Sequence, residues 1–491
     1  MQVLLPIVLL LLLWTTRLPG LETLPLHNDE GLHLTRAVAV WAGHPFWAIS
    51  DGKIINHWPI ALFYPQQTPV LAGRIATVLT ALVGLAAGWS VGRQQFGSRA
   101  ALFAALAWVG STYLAFYERL AFSDAQAGSL VVVTLWATVH AAHSESLRDA
   151  AGAGLVFGLA TLFKFTAAPY ALMVALLLLV YGTAPLRRRM LQFLTAAGSA
   201  AILFIIPLLY LLLRGDDFFS IALGWVGIGG GAESDLLTRF LDNSLRFADM
   251  IAGFGDLALA GALGGSALLV ALRRRQGAIL IGAATLPLVI MLILGREMMP
   301  RHYVVGLPVL LALGGAGIGL AFERAAAPAR RWLTFIAAAG LVLIAALAAR
   351  AASFDPLLLN LPVAVQAEHF NEHSSGYGLR EAMRALDELP NDIPIIGSMF
   401  PDGCRRANFY APAGRALICA DAPGLAAIER ALSERGMVYV LTDTAPLIGL
   451  DVMAAAAQLN AVTTRAAVYP RPGESETNSS VVLWLLERRS P

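Results

Sequence analysis

The sequence predicts a polytopic α-helical membrane protein that ends in a small α/β domain. Three observations predict it. Of the 491 residues, 57% are hydrophobic and 14% charged, where soluble chains carry about 25% charged residues. Eleven apolar runs have lengths suited to crossing a bilayer. After residue 350 the pattern changes to alternating amphipathic helices and short apolar strands. Mean hydropathy is +0.66. The formal net charge of +2 arises from scattered basic residues at the ends of apolar runs, which excludes a nucleic-acid footprint.

The runs fall at 2–18, 69–91, 99–117, 124–142, 151–164, 166–183, 190–213, 249–272, 277–295, 302–322 and 332–349. The first lacks a basic leader and an A-x-A-like cleavage site, so a retained helix is expected and not a signal peptide. The fifth and sixth meet at "LFKFTAAPY", where Lys164 and Pro169 interrupt a run too long for one span. Alternate connections, "GRQQFGSR", "HSESLRD", "LRRRM", "LRRRQ" and "ERAAAPARR", all carry arginine. Basic loops stay cytoplasmic, which predicts an N-terminus inside and a C-terminus outside. Arg17, at the outer end of the first span, runs against that register. The expected domains are 1–349, transmembrane, with an outer loop at 19–68 containing interfacial helices, and 350–491, extracytoplasmic and α/β.

In that last domain "YGLREAMRALDELP" reads as a helix and "IPIIGS" as a buried strand. "LAAIERALSERG" then "MVYVLTD" repeats the order, "SVVLWLLER" is a final strand, and "YPRPGESETNSS" is a polar loop. Both cysteines, Cys404 and Cys419, lie here, either as a disulfide or as two buried thiols.

Ionisable residues beside lipid are expensive and mark function by default. On the predicted outer side, four connections deliver them: Asp29, Glu30, Asp51 and Lys53; Glu118, Arg119 and Asp124; Lys164; and Arg296, Glu297, Arg301 and His302. Each also has an ordinary reading. Asn28 or Asp29 can N-cap an interfacial helix, with Glu30 favoured at its positive end. Arg119 and Asp124 can pair, Lys164 can snorkel, and Arg301 and His302 can anchor at the interface. His27, His33 and His57 lack a known ligand spacing and read as solvated groups. "GIGGGA" inside 214–248 suits a mobile lid.

Six stretches, in order, resemble the GT-C membrane glycosyltransferases that use polyprenyl-phosphate sugars. The likeness is to the family 39-like and RgtA/B/C/D-like members, relatives of the protein O-mannosyltransferases and the lipid A aminoarabinose transferase. "NDEGLHLTRAVAVWAGH" is similar to the family's D-E-x-x-Y-x-x-x-A stretch, and "NHWPIALFYP" to its "PPLYYLL" segment. "AGRIATVLTALVGLAAGWSVGRQQFGSRAALFAALAW" is similar to its arginine-led second span. "YERLAFSDAQAGSL", "GLATLFKFTAAPY" and "PRHYVVGLPVLLAL" resemble its R-x-x-x-x-D, G-L-A-x-L-x-K and R-Y-led elements.

Over residues 1–325 the resemblance implies a GT-C fold in a cell (inner or plasma) membrane. The implied activity is inverting sugar transfer from a polyprenyl phosphate to an acceptor hydroxyl on a lipid, glycan or protein. Asp29 would be the base, Glu30 the adjacent acid and Asp124 a further catalytic acid. Lys164, Arg301, Arg119, His302 and Lys53 would bind the donor phosphate. Two positions depart from the family: its tyrosine is His33 here, and its lysine before the "PPL" segment is replaced by His57 and Trp58. No cofactor is certain, since the family divides on a divalent metal. An O-antigen ligase or polymerase on the same scaffold would need longer arginine-rich loops. A secondary transporter would place charges within the spans.

Overall fold

The computed structural model describes residues 4–47, 52–63, 68–215, 235–295, 298–399, 403–412, 414–419, 425–445, 450–472 and 479–489. Asp51, Arg296, Glu297 and the glycine-rich "GIGGGA" lie outside them. The chain forms two compact units. The first comprises residues 1–23, 39–63 and 72–362, and the second comprises 24–38, 64–71 and 363–491.

The first unit is helical. Five of its described helices are long and apolar enough to cross a membrane: Pro69–Phe96, Ser123–Ser144, Leu186–Leu213, Arg274–Leu294 and Ala327–Phe354. A pair, Ser98–Gly110 and Thr112–Glu118, is together apolar enough to be a sixth and is bent by 65° at its break. Shorter apolar helices run over Leu4–Arg17, Phe165–Tyr181, Leu257–Leu272 and Leu307–Glu323, with Leu147–Phe163 between the spans. Without a hydrophobic drive inside lipid, close backbone approach does the packing. A Cβ on Gly265 would run into the Gly314 carbonyl, and one on Gly314 into that of Ala262.

Two expected spans are broken, and one acid accounts for both breaks. The run 249–272 is not one helix but parts of two, Leu236–Gly253 and Leu257–Leu272. Gly255 takes φ +57 at the join. Asp256 caps the second helix by accepting from the Leu259 N–H at 2.8 Å. Its other oxygen accepts from the Ser111 hydroxyl at 2.5 Å and the Tyr113 N–H at 3.1 Å. Ser111 is the N-cap at which the 99–117 run bends.

Arg17, the residue out of register, has a partner. It lies fully buried against Glu118 at 2.8 Å, and the Trp108 indole donates to the other Glu118 oxygen at 2.6 Å. Removing one member of a buried pair strands the other charge, a cost of about 3–5 kcal/mol. Glu118→Ala is therefore expected to lower the thermal midpoint in detergent by several degrees. Arg17→Met with Glu118→Leu should recover most of the loss, and a Glu118→Ala midpoint equal to wild type would contradict the pairing.

The second unit holds a five-stranded sheet. Its strands are β1 (Ile395–Ser398), β2 (Ile418–Cys419), β3 (Met437–Asp443), β4 (Ala461–Pro470) and β5 (Ser480–Arg488), in the order β2-β1-β3-β5-β4. β1 is parallel to β2 and β3, and β5 is antiparallel to β3 and β4. Side chains alternate across a strand, so β3 feeds two cores. Tyr439 and Leu441 join Leu379, Met383 and Leu483 on one face. Val438 and Val440 join Ile428, Leu432 and Leu486 on the other. Burial on both faces explains the unbroken apolar run "MVYVLTD". Cys404 and Cys419 are disulfide-bonded, which decides between the two readings and ties the Gly403–Asn408 helix to β2.

Candidate active site

In the first unit, Lys164, Lys53, Arg301 and His302, four of the expected donor-side residues, gather around one buried ion pair. Asp124 is the second residue of the Ser123–Ser144 helix, where the helix dipole favours a carboxylate. Lys164 follows the last residue of Leu147–Phe163 in an extended conformation (φ −158, ψ 127), so its side chain leaves the helix line. Its Nζ lies 2.6 Å from each Asp124 oxygen, and both residues are buried. Lys164 therefore does not snorkel, and Asp124 pairs with it rather than with Arg119.

The backbone around Lys164 explains why Lys53 joins the group. Phe165 N–H donates to the Gly52 carbonyl at 2.9 Å, and Ile54 N–H donates to the Leu162 carbonyl at 3.0 Å. The 52–55 segment is thus laid along the break in the helix. Gly52 takes φ +62 there, a left-handed conformation that a side chain would strain. The charges of Lys53, Arg301 and Asp124 all act on Lys164. Arg301 stands over the Phe122 ring, 5.8 Å from its centroid.

Arg301 and His302 belong to the short Pro300–Tyr303 helix ahead of the apolar Leu307–Glu323 helix. Burial and the neighbouring Lys164 push the His302 ring down to about 3. It is therefore neutral at working pH. Its Nδ1 accepts from the Met299 N–H at 3.2 Å, which leaves the ring proton on Nε2 as a donor. The charges acting on His302 are those of Lys164, Asp124, Arg301 and Lys53, three cations and one anion. That balance suits an anionic ligand such as a phosphate.

Arg119, expected beside the phosphate, is placed elsewhere. Its guanidinium binds the carbonyls of Arg17 at 2.9 Å, Pro19 at 2.5 Å and Gly20 at 3.2 Å, among others. The charges that act on it are those of Arg17 and Arg74, not Lys164. It fixes the chain leaving the first helix, a job for five planar donors.

The opening acids lie in the second unit, in different surroundings. The Asn28–Trp41 helix is capped by neither Asn28 nor Asp29 but by His27. The His27 carbonyl accepts from the Gly31 N–H at 3.0 Å, and its ring Nδ1 accepts from the Asp29 N–H at 3.1 Å. Glu30, at the third helical position, reaches back to the His27 N–H at 3.0 Å. The return bond is that of a capping box, with the ring serving the second helical N–H rather than the third, and Glu30, expected as a catalytic acid, lies fully buried in it. Asp29 is half-buried one position earlier. Arg406 holds the same stretch. It donates to the Ser374 carbonyl at 2.6 Å and the His373 carbonyl at 3.0 Å, while its stem covers Gly31, where a Cβ would meet Arg406 Cγ at 2.7 Å.

The three histidines expected as solvated groups are all buried: His27, His33 and His57 are 3%, 0% and 0% exposed. His57 Nε2 lies 3.1 Å from the Pro45 carbonyl, and His27 meets two residues that sequence reasoning missed, Glu368 and His369. His27 Nε2 lies 3.3 Å from Glu368 Oε1, and the His27 and His369 rings stand 4.8 Å apart. "AEHFNEH" is unusually rich in ligating side chains, but no local spacing links it to His27 over 340 positions upstream.

Residues 55–211 match the model of the dolichyl-phosphate-mannose-protein mannosyltransferase family. No curated protein matches the chain. Two solved structures of ArnT from Cupriavidus metallidurans are similar to it. One, bound to undecaprenyl phosphate, is 15% identical with a TM-score of 0.63 and covers 98% of each chain. The other, in the apo state, is 17% identical with a TM-score of 0.64 and covers 98% of this chain and 97% of its own. The chain thus shares the fold of the ArnT structures over nearly its whole length, and residues 55–211 carry the sequence pattern of the dolichyl-phosphate-mannose-protein mannosyltransferase model.

Proposed function

We propose that the protein is an inverting glycosyltransferase that moves a sugar from a polyprenyl monophosphate to an acceptor hydroxyl on the extracytoplasmic face of the membrane. The observation that carries this reading is the Asp124–Lys164 pair, with Lys53, Arg301 and His302 bearing on it, within a GT-C fold. The ArnT structure bound to undecaprenyl phosphate supports the same class of lipid carrier. The arginine-bearing loops and the Cys404–Cys419 disulfide, a bond of oxidising compartments, support a C-terminal unit outside the cytoplasm.

The chemistry follows from the leaving group. As the C1–O bond to phosphate breaks, the phosphate oxygen keeps the electron pair. Lys164, Arg301, Lys53 and the His302 Nε2–H are the groups assigned to stabilise that charge, so no general acid is required. The acceptor oxygen forms the new bond to C1 while its proton passes to a carboxylate. Asp29 is assigned this role from its match to the family stretch and from its partial exposure. A single displacement inverts the anomeric centre.

Thermal shift tests the carrier class. Polyprenyl phosphate at saturating concentration should raise the melting midpoint, since a ligand that binds only the folded state stabilises it. Polyprenol of the same length should raise it far less. Equal shifts from alcohol and phosphate would remove the phosphate site. A shift confined to the diphosphate would favour a ligase of the same fold.

A further inference from the structure

We propose that His27 and Glu368 are positioning residues for Asp29: the Glu368 carboxylate fixes the His27 ring in the tautomer that caps the helix carrying the base. The inference rests on the reading of Asp29 as that base.

Helix N-caps are normally Ser, Thr, Asp or Asn, whose side-chain oxygens always present a lone pair. A neutral imidazole can do the same from Nδ1 only if its proton is on Nε2. Both halves of that requirement are met here. The Asp29 N–H donates to Nδ1 at 3.1 Å, and Glu368 Oε1 stands at an ion-pair distance of 3.3 Å from Nε2, where its negative charge favours the ring proton on that nitrogen. The carboxylate therefore selects the tautomer, as carboxylate partners of histidine commonly do.

Glu368 is itself held. The Ser374 hydroxyl donates to the Glu368 carbonyl at 2.7 Å, and the Ser375 hydroxyl to that of His369 at 2.8 Å. The Ser374 carbonyl accepts from the Asn28 N–H at 2.9 Å and from Arg406 at 2.6 Å. Residues 368–375 and 26–31 are thus joined at both ends of the cap. The φ and ψ of Asn28 and Asp29 set where the Asp29 carboxylate points, and they are fixed by these bonds.

The same three side chains, His27, Glu368 and His369, also have the donor set of a divalent-metal site, with candidate ligand atoms within 4.8 Å of one another. The capping bond argues against that use. Ligation through Nε2 moves the ring proton to Nδ1, where it would face the Asp29 N–H, donor against donor. Cap and metal ligand are mutually exclusive roles for this ring.

The two roles predict opposite behaviour for an oxygen in place of the ring. In full-length protein, His27→Ala should lower kcat by about 10–100-fold, the scale of a small misplacement of a catalytic group. The KM for a polyprenyl-phosphate sugar should stay within about twofold, because donor binding is assigned to other residues. His27→Ser and His27→Asn, which cap from an oxygen, should return kcat to within about threefold of wild type. Glu368→Gln and Glu368→Leu, which both remove the charge beside Nε2, should both shift kcat and KM in the direction of His27→Ala.

A His27→Ser enzyme as slow as His27→Ala, both with wild-type midpoints, would overturn the proposal, as would full activity in His27→Ala. Hydrogen exchange over residues 26–34 reads the cap without reference to turnover. Protection should be lost in His27→Ala and regained in His27→Ser, and unchanged protection in His27→Ala would also overturn it. If Asp29→Asn proves fully active, the base assignment fails while the exchange result still decides the cap.

Discussion

Asp29→Asn should lower turnover by about 10²–10⁴-fold, the usual contribution of a positioned general base. The protein should remain folded. The Asp29 backbone N–H, which the cap uses, is unchanged by the substitution. What is lost in stability is an acid near a helix N-terminus, about 0.3–1 kcal/mol. A normal melting midpoint with turnover at the lower end of that range, measured as release of free polyprenyl phosphate, is therefore the expected pairing. Glu30→Gln should show the opposite balance. It weakens the capping box that the buried Glu30 closes, so stability should fall by more than in Asp29→Asn. If Glu30→Gln abolished turnover at full stability while Asp29→Asn left it intact, the assignment of the two acids would be reversed.

Lys164→Met should cost both stability and activity, for separable reasons. It strands Asp124, which is 1% exposed and accepts from Lys164 through Oδ2, with Oδ1 at the same 2.6 Å from the ammonium. Breaking such a pair costs about 3–5 kcal/mol. Adding Asp124→Leu removes the stranded charge and should restore most of the melting midpoint. It should not restore turnover, because the cation that neutralises the leaving phosphate is still absent. A double variant that is both stable and fully active would show the pair to be architecture alone. The same logic applied to Arg17 and Glu118 predicts recovery of stability, and there no loss of phosphate neutralisation is expected.

The sequence announces the helical membrane part through composition and run length alone, because lipid demands long apolar helices. Where it misleads, the cause is tertiary. The 99–117 and 249–272 runs are apolar enough to read as continuous spans, and it is the contact between Ser111 and Asp256, 145 positions apart, that shows both are broken there. Arg17 looks misplaced until Glu118 is beside it. β3 and β5 are legible as apolar runs. β4, "AVTTRAAVYP", is an edge strand with most residues exposed or half-buried, so it carries little hydrophobic signal.

For the site, the chemistry-bearing residues could be named from their stretches, but not their division of labour. Asp124 with Lys164 was readable as two isolated charges near lipid, and not as one pair. Arg119 looks like a phosphate ligand in one dimension, and becomes a backbone clamp once its carbonyl partners are visible. Glu30 and His27 are separated from Asp29 by one and two positions. The surroundings that set them apart include Glu368 and Arg406, far along the chain.

The central claim is transfer from a lipid monophosphate. Its most direct measurement is turnover by the purified protein in lipid nanodiscs, given a panel of sugars on polyprenyl phosphate and on polyprenyl diphosphate. Wild type should release free polyprenyl phosphate from at least one monophosphate donor, with inversion at the transferred sugar, and Asp29→Asn should not. Release from diphosphate donors alone, or equal release by wild type and Asp29→Asn, would contradict the account.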